Sequence, residues 1–127
     1  MPRNTFSKQQ RLKSRKKLQQ VFAGRKAVFA ENIKVLYLAE DADKGFVQCG
    51  VGLSGRYFKK AVDRNRVKRL LREAYRLQQH PLVQVAEKNN KQISVFILYT
   101  GKQLPQYDRL FESVGIALQK LIQSKLA

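Results

Sequence analysis

The chain has 127 residues, with 26 Lys and Arg against nine Asp and Glu, one Cys, one His and no Trp. That length, at 43% hydrophobic residues, holds one globular core and no more. A single Cys excludes an intramolecular disulfide, one Cys with one His excludes a structural zinc site, and any His-dependent triad would have to use His80.

Residues 1–13 read as a basic, extended arm, mobile in the free protein because few apolar side chains anchor it. Met1, Phe6, Leu12 and Leu18 are dispersed among polar residues, so no secretory apolar region exists. Ser14 is placed to cap a short helix through Phe22, with Leu18, Val21 and Phe22 on one stripe and Gly24 ending it. That folded stripe argues against a cleaved presequence.

Residues 33–38 form a β-branched and aromatic run that predicts a strand, and the acidic stretch 40–45 predicts the turn after it. Residues 46–54 alternate, with Val47, Cys49, Val51 and Leu53 on one side, as a half-buried strand does. Residues 61–79 give the strongest helical pattern, stopped at His80-Pro81 because the residue before proline avoids helical dihedrals. A strand follows over 93–99, then an amphipathic helix over 110–122 with Leu110, Val114, Ala117, Leu118 and Leu121 inward. The expected fold is α+β: one domain over 1–127, a small mixed β-sheet packed with about three helices, and one strand-helix-strand crossover between 46 and 99. No apolar run is long enough to span a membrane, and a cytoplasmic location is expected.

The charge is localised. Of a net +17, residues 1–26 carry +9 and residues 56–76 carry +7. A field of that sign and concentration points to a polyanion. Within the second segment, 100° per residue puts Val67, Leu70, Leu71, Ala74 and Leu77 on one helix face, and Arg64, Asn65, Lys68, Arg69, Arg72 and Arg76 on the other. An ordinary solvated face would alternate signs and form i,i+4 pairs. Here cations repel cations, with Glu73 near the edge of the row. A phosphate backbone that relieves the repulsion accounts for the row better than solvation does.

Gly50-Val51-Gly52-Leu53-Ser54-Gly55 matches G-x-G-x-x-G, but the context fails. Five residues separate it from the next helix, and the only acid about 20 residues on is Glu73, inside the basic helix. The glycines instead mark a strand edge where another backbone or a nucleic-acid strand comes close. Nothing before residue 61 supplies the first helix of a helix-turn-helix, and the strand over 93–99 lacks the glycines of an RNP signature. Lys and Arg with exposed aromatics favour structured or single-stranded RNA over DNA.

Lys60-Ala61-Val62-Asp63-Arg64-Asn65-Arg66-Val67-Lys68-Arg69-Leu70-Leu71-Arg72-Glu73 resembles the RNR signature of the bacterial ribonuclease P protein component family. The basic arm with Arg11-Leu12, the short helix ending in Val21-Phe22, the V-G-L-S strand end, the apolar strand and the C-terminal helix follow in the family's order. Two departures stand out. Ser54-Gly55-Arg56-Tyr57-Phe58 replaces the paired lysines usual after the strand, with Lys59 and Lys60 able to supply charge, and Leu18 stands at one position of an aromatic pair whose other member is Phe22.

The resemblance implies a left-handed crossover, against the usual right-handed rule. It implies that an RNA subunit with its bound Mg²⁺ performs the hydrolysis, with no catalytic residue, metal or small-molecule cofactor in the protein. It implies contact with ribonuclease P RNA through Lys60, Arg64, Asn65, Arg66, Lys68, Arg69, Arg72 and Arg76. A cleft lined by Leu18, Phe22 and Tyr37 would hold the 5′ leader of precursor tRNA. A general RNA-binding module and a basic DNA-binding protein remain as alternatives at this stage.

Overall fold

The computed structural model describes residue 11, residues 15–24 and residues 26–124. The rest of the basic arm and Ser14 lie outside the described residues. In chain order the elements are α1 (Arg15–Ala23), β1 (Ala27–Ala30), β2 (Ile33–Asp41), β3 (Phe46–Leu53), α2 (Ala61–Gln78), α3 (His80–Asn89), β4 (Lys91–Tyr99) and α4 (Tyr107–Gln123).

The strands form one sheet in the order β1-β2-β4-β3. β1 and β2 pair antiparallel, as do β2 and β4, whereas β3 and β4 pair parallel from Phe46↔Gln92 to Leu53↔Tyr99. The crossover between these parallel neighbours runs through α2 and α3. The α+β class with a mixed sheet therefore holds, but the helices number four among the described residues, not about three.

The additional helix and strand have local causes. α2 ends at Gln78, but His80, expected to avoid helical dihedrals before proline, is the first residue of α3, and Pro81 occupies the first turn of that helix, where its missing N–H and fixed φ cost nothing. Asn90 then closes α3 at φ 50°, in the left-handed region that Asn tolerates. β1 has only four residues, joined to β2 by a tight turn with Asn32 at φ 59°. Glu40 and Asp41, expected in a turn, extend β2. Asp41 lies opposite Lys91 in the ladder and accepts a hydrogen bond from its ammonium, while Glu40 pairs with Lys17 of α1.

The sheet has two unequal faces. Ile33, Val35, Val47, Cys49, Ile93, Val95, Ile97 and Tyr99 point to the side where α2, α3 and α4 pack, and build the main core with Val67, Leu71, Leu82, Val114 and Leu121. Each fully buried aliphatic chain contributes about 1.5–3 kcal/mol. On the other face, among the described residues, α1 packs, placing Val21 and Leu18 against Leu36, Leu38, Phe96 and Leu98.

α4 buries the five expected residues. The buried stripe of α2 is Val67, Leu71, Ala74 and Tyr75, and Leu77 is exposed. α2 is pressed by α4 as well as by the sheet, so its buried stripe turns toward Tyr75 and leaves Leu77 outside. Gln78 locks the two helices by donating to the Phe111 carbonyl at 2.9 Å.

Candidate nucleic-acid interface

Two surfaces lie on opposite faces of the sheet, with β3 as the edge strand between them. The first is the outer face of α2. Asn65, Arg69 and Arg72 are exposed, and Lys68 is half-buried beside them. Among the described residues no carboxylate pairs with Lys60, Arg66, Lys68, Arg69 or Arg72. Glu73 is taken by Arg76, whose guanidinium donates to both carboxylate oxygens, at 3.3 Å from Nε to Oε2. That bond holds the Glu73 carboxyl below the usual carboxylate range and raises Arg76 further. Arg76 is thus partly neutralised at the C-terminal end, and the uncompensated cations lie upstream.

Arg64 departs from the expected row. It lies seven residues before Leu71, hence on the stripe that turns inward. Its Nη1 donates to the Phe58 carbonyl at 2.9 Å and the Lys59 carbonyl at 2.7 Å. A side chain expected on the outer face instead holds the entry loop against the helix start. Arg66 and Lys60 are exposed on the flank and at the helix entry.

The second surface is the α1 side of the sheet. Alternation along the strands brings Gln48, Gly50 and Gly52 of β3 and Phe96 and Leu98 of β4 to this face beside α1. Phe22 is 45% exposed, and its ring centroid lies 5.2 Å from that of Phe96. Gly52 is required here, since a Cβ at this position would sit 2.9 Å from the Phe96 ring. What approaches the glycine is the protein's own aromatic ring. The chain enters this region at Arg11, which bridges to Cys49 on β3 in parallel. Cys49 itself is buried, and burial pushes its thiol well above the ordinary range.

Leu18 and Phe22 come together on this face, and Tyr37 does not join them. Tyr37 packs against the main core on the opposite side of the sheet. Strand alternation is the reason: Leu36 and Leu38 take the α1 side, so the residue between them cannot. Phe96 is the aromatic that sequence reasoning missed. Its signal was available in the alternation of the apolar strand over 93–99, whose second face also carries large side chains.

Among the described residues no three of His, Cys, Asp and Glu converge to hold a metal ion, and no helix is long and apolar enough to cross a membrane. The arrangement offers charge and stacking surface.

Comparison with known proteins follows the same lines. The family model described as Ribonuclease P matches residues 6–122. The ribonuclease P protein component of Porphyromonas gingivalis strain ATCC 33277 is 34% identical over 116 residues, which cover 91% of this chain and 82% of the relative. That of Legionella pneumophila strain Lens is 33% identical over 107 residues, covering 78% and 92%. Among solved structures, the RNase P protein of Staphylococcus aureus superposes with a TM-score of 0.67 at 18% identity, over 88% of this chain and 94% of that one. The Thermotoga maritima protein gives 0.60 at 23% identity, over 89% and 94%. At these identities the two structures speak to fold.

Proposed function

The chain belongs to the bacterial ribonuclease P protein component family, and we propose that it acts as the non-catalytic protein subunit, binding ribonuclease P RNA and the 5′ leader of precursor tRNA in the cytoplasm. The observation that carries this reading is the cation row of α2. Lys68, Arg69 and Arg72, with Asn65 among them, are held on a helix anchored by the core, without carboxylate partners among the described residues. Maintaining like charges side by side costs stability, and a phosphate backbone removes that cost while releasing counterions.

The leader would lie on the α1 face, where Phe22 and Phe96 offer rings for unpaired bases and Leu18 supports them from below. Tyr37 has no part in this contact. In this division of labour Mg²⁺ bound to the RNA supplies the hydrolytic chemistry. The protein orients the leader and lowers the repulsion between two RNA chains, which reduces the Mg²⁺ needed to bring them together.

The test is cleavage of a precursor tRNA by bacterial ribonuclease P RNA at low Mg²⁺, with and without this protein. Restored cleavage at the mature 5′ end, absent without the RNA, is the expected result. Binding to both RNAs with no stimulation would make the protein a general RNA-binding module that shares the motif.

A further inference from the structure

The loop Ser54-Gly55-Arg56-Tyr57-Phe58, where this chain departs from the family pattern, is a constructed feature. β3 and β4 are parallel with Leu53 opposite Tyr99, so the segments leaving both strands emerge at the same end of the sheet. Tyr99 ties them together. Its ring packs 6.1 Å from that of Phe58, which is buried, and its hydroxyl donates to the Gln103 carbonyl at 2.7 Å. Gly101 allows this closure, because a Cβ there would collide with the Tyr99 hydroxyl. Arg64 holds the loop from the other side through the Phe58 and Lys59 carbonyls.

On this fixed base Tyr57 turns outward, 42% exposed. The Arg56 guanidinium lies 5.8 Å from its ring centroid and the Lys102 ammonium 5.6 Å, the two cations arriving from different loops. Among the described residues neither cation has a carboxylate partner. Two like charges drawn to one exposed ring repel each other, and the ring's own attraction for them is weak where water reaches. An aromatic face flanked by cations is the arrangement that takes an unpaired nucleotide, with the base on the ring and the phosphates on the charges.

We propose that Tyr57, Arg56 and Lys102 form a single-nucleotide RNA subsite beyond the N-terminal end of α2, separate from the α1 face. The proposal rests on the reading of the chain as a ribonuclease P subunit, and the nucleotide belongs either to the catalytic RNA or to precursor tRNA. Two dissociation constants separate these sources: that of the protein for bacterial ribonuclease P RNA, and that of the reconstituted holoenzyme for precursor tRNA.

Tyr57→Ala is expected to weaken one of them roughly tenfold, while Tyr57→Phe, which keeps the ring, stays within about twofold of wild type. A loss in the first measurement assigns the nucleotide to the catalytic RNA, and a loss in the second assigns it to the precursor. Lys102→Gln is expected to lower the salt slope of the same event by about one. Unchanged constants in Tyr57→Ala, or an equal loss in Tyr57→Phe, overturn the proposal. Should Tyr57→Ala unfold, Lys102→Gln and Arg56→Gln decide the matter, since unchanged affinity and salt slope in both overturn it equally. Wild-type protein that fails to stimulate cleavage at low Mg²⁺ refutes the subunit reading. Stimulation by wild type with an indifferent Tyr57 refutes only the subsite.

Discussion

The Phe22 ring on α1 rests 5.2 Å from the Phe96 ring on β4, inclined by 57°. This contact joins α1 to a strand in the interior of the sheet, and it gives Phe22 an aromatic partner from outside its own helix. Tilted rings at this separation attract through their quadrupoles while leaving edges and faces available to a third ring.

Replacing either phenylalanine should therefore act on substrate more than on fold. Phe22→Ala is expected to weaken holoenzyme affinity for leader-bearing precursor tRNA by five- to tenfold, leaving affinity for mature tRNA unchanged. Phe96 is more buried, so Phe96→Ala should also cost about 2 kcal/mol of stability, less than a fully buried phenylalanine would. Equal losses for both RNAs would give Phe22 a packing role instead.

Gly52 controls the same contact from beneath. Gly52→Val pushes branched methyls into the Phe96 ring, so unfolding by urea should show a loss of about 1–3 kcal/mol. Leader affinity should fall with it as the ring is displaced. Gly55→Ala is the matched control, because an added Cβ there meets nothing within 4 Å. A Gly52→Val protein as stable as Gly55→Ala would contradict the close approach.

The two arginines of α2 nearest the sequence signature should separate. Arg69 is exposed and unpaired among the described residues, so Arg69→Ala should reduce the salt slope of RNA binding by about 0.7–0.9 and leave the thermal midpoint in place. Arg64 donates to two carbonyls, so Arg64→Ala should cost about 1–2 kcal/mol of stability before any RNA is added. Identical melting curves for the two variants would return Arg64 to the outer row.

Acid should weaken the fold in a defined direction. Hydrogen bonds from Arg76 and Lys91 lower the Glu73 and Asp41 carboxyls below their ordinary values. A carboxyl lowered on folding stabilises above its unfolded pKa and loses that contribution as pH falls through the folded one. Both side chains are well exposed, so solvent screening keeps the effect small. The thermal midpoint should hold from neutral pH down to the ordinary carboxylate range and decline below it. The decline should be shallower in a Glu73→Gln, Asp41→Asn double variant, and an unchanged acid limb there would remove these pairs from the account.

Much of this protein could be read without coordinates. The concentration of charge in two segments, the periodicity of α2 and α4, and the alternation of β3 are properties of adjacent residues, and the same local patterns identified the family. Local pattern also placed Leu18 and Phe22 on one stripe, since three and four residues along a helix share a side. It placed Arg64 and Leu77 wrongly, because a helical wheel has no origin until something packs against it. α2 meets the sheet and α4 together, and that double contact set which stripe turned inward.

The pairing of strands was decided only in three dimensions. Whether Tyr37 or its neighbours face α1 depends on which side of the sheet each helix covers, and a run of apolar residues on both faces is silent on that. Phe96 meets Phe22 across 74 residues of chain, and Lys102 meets Tyr57 because parallel pairing of β3 and β4 brings two distant loops to one end. Composition and period settle what each segment is, since they act between neighbours. Which side chains share a surface is settled by packing, which spans the whole chain.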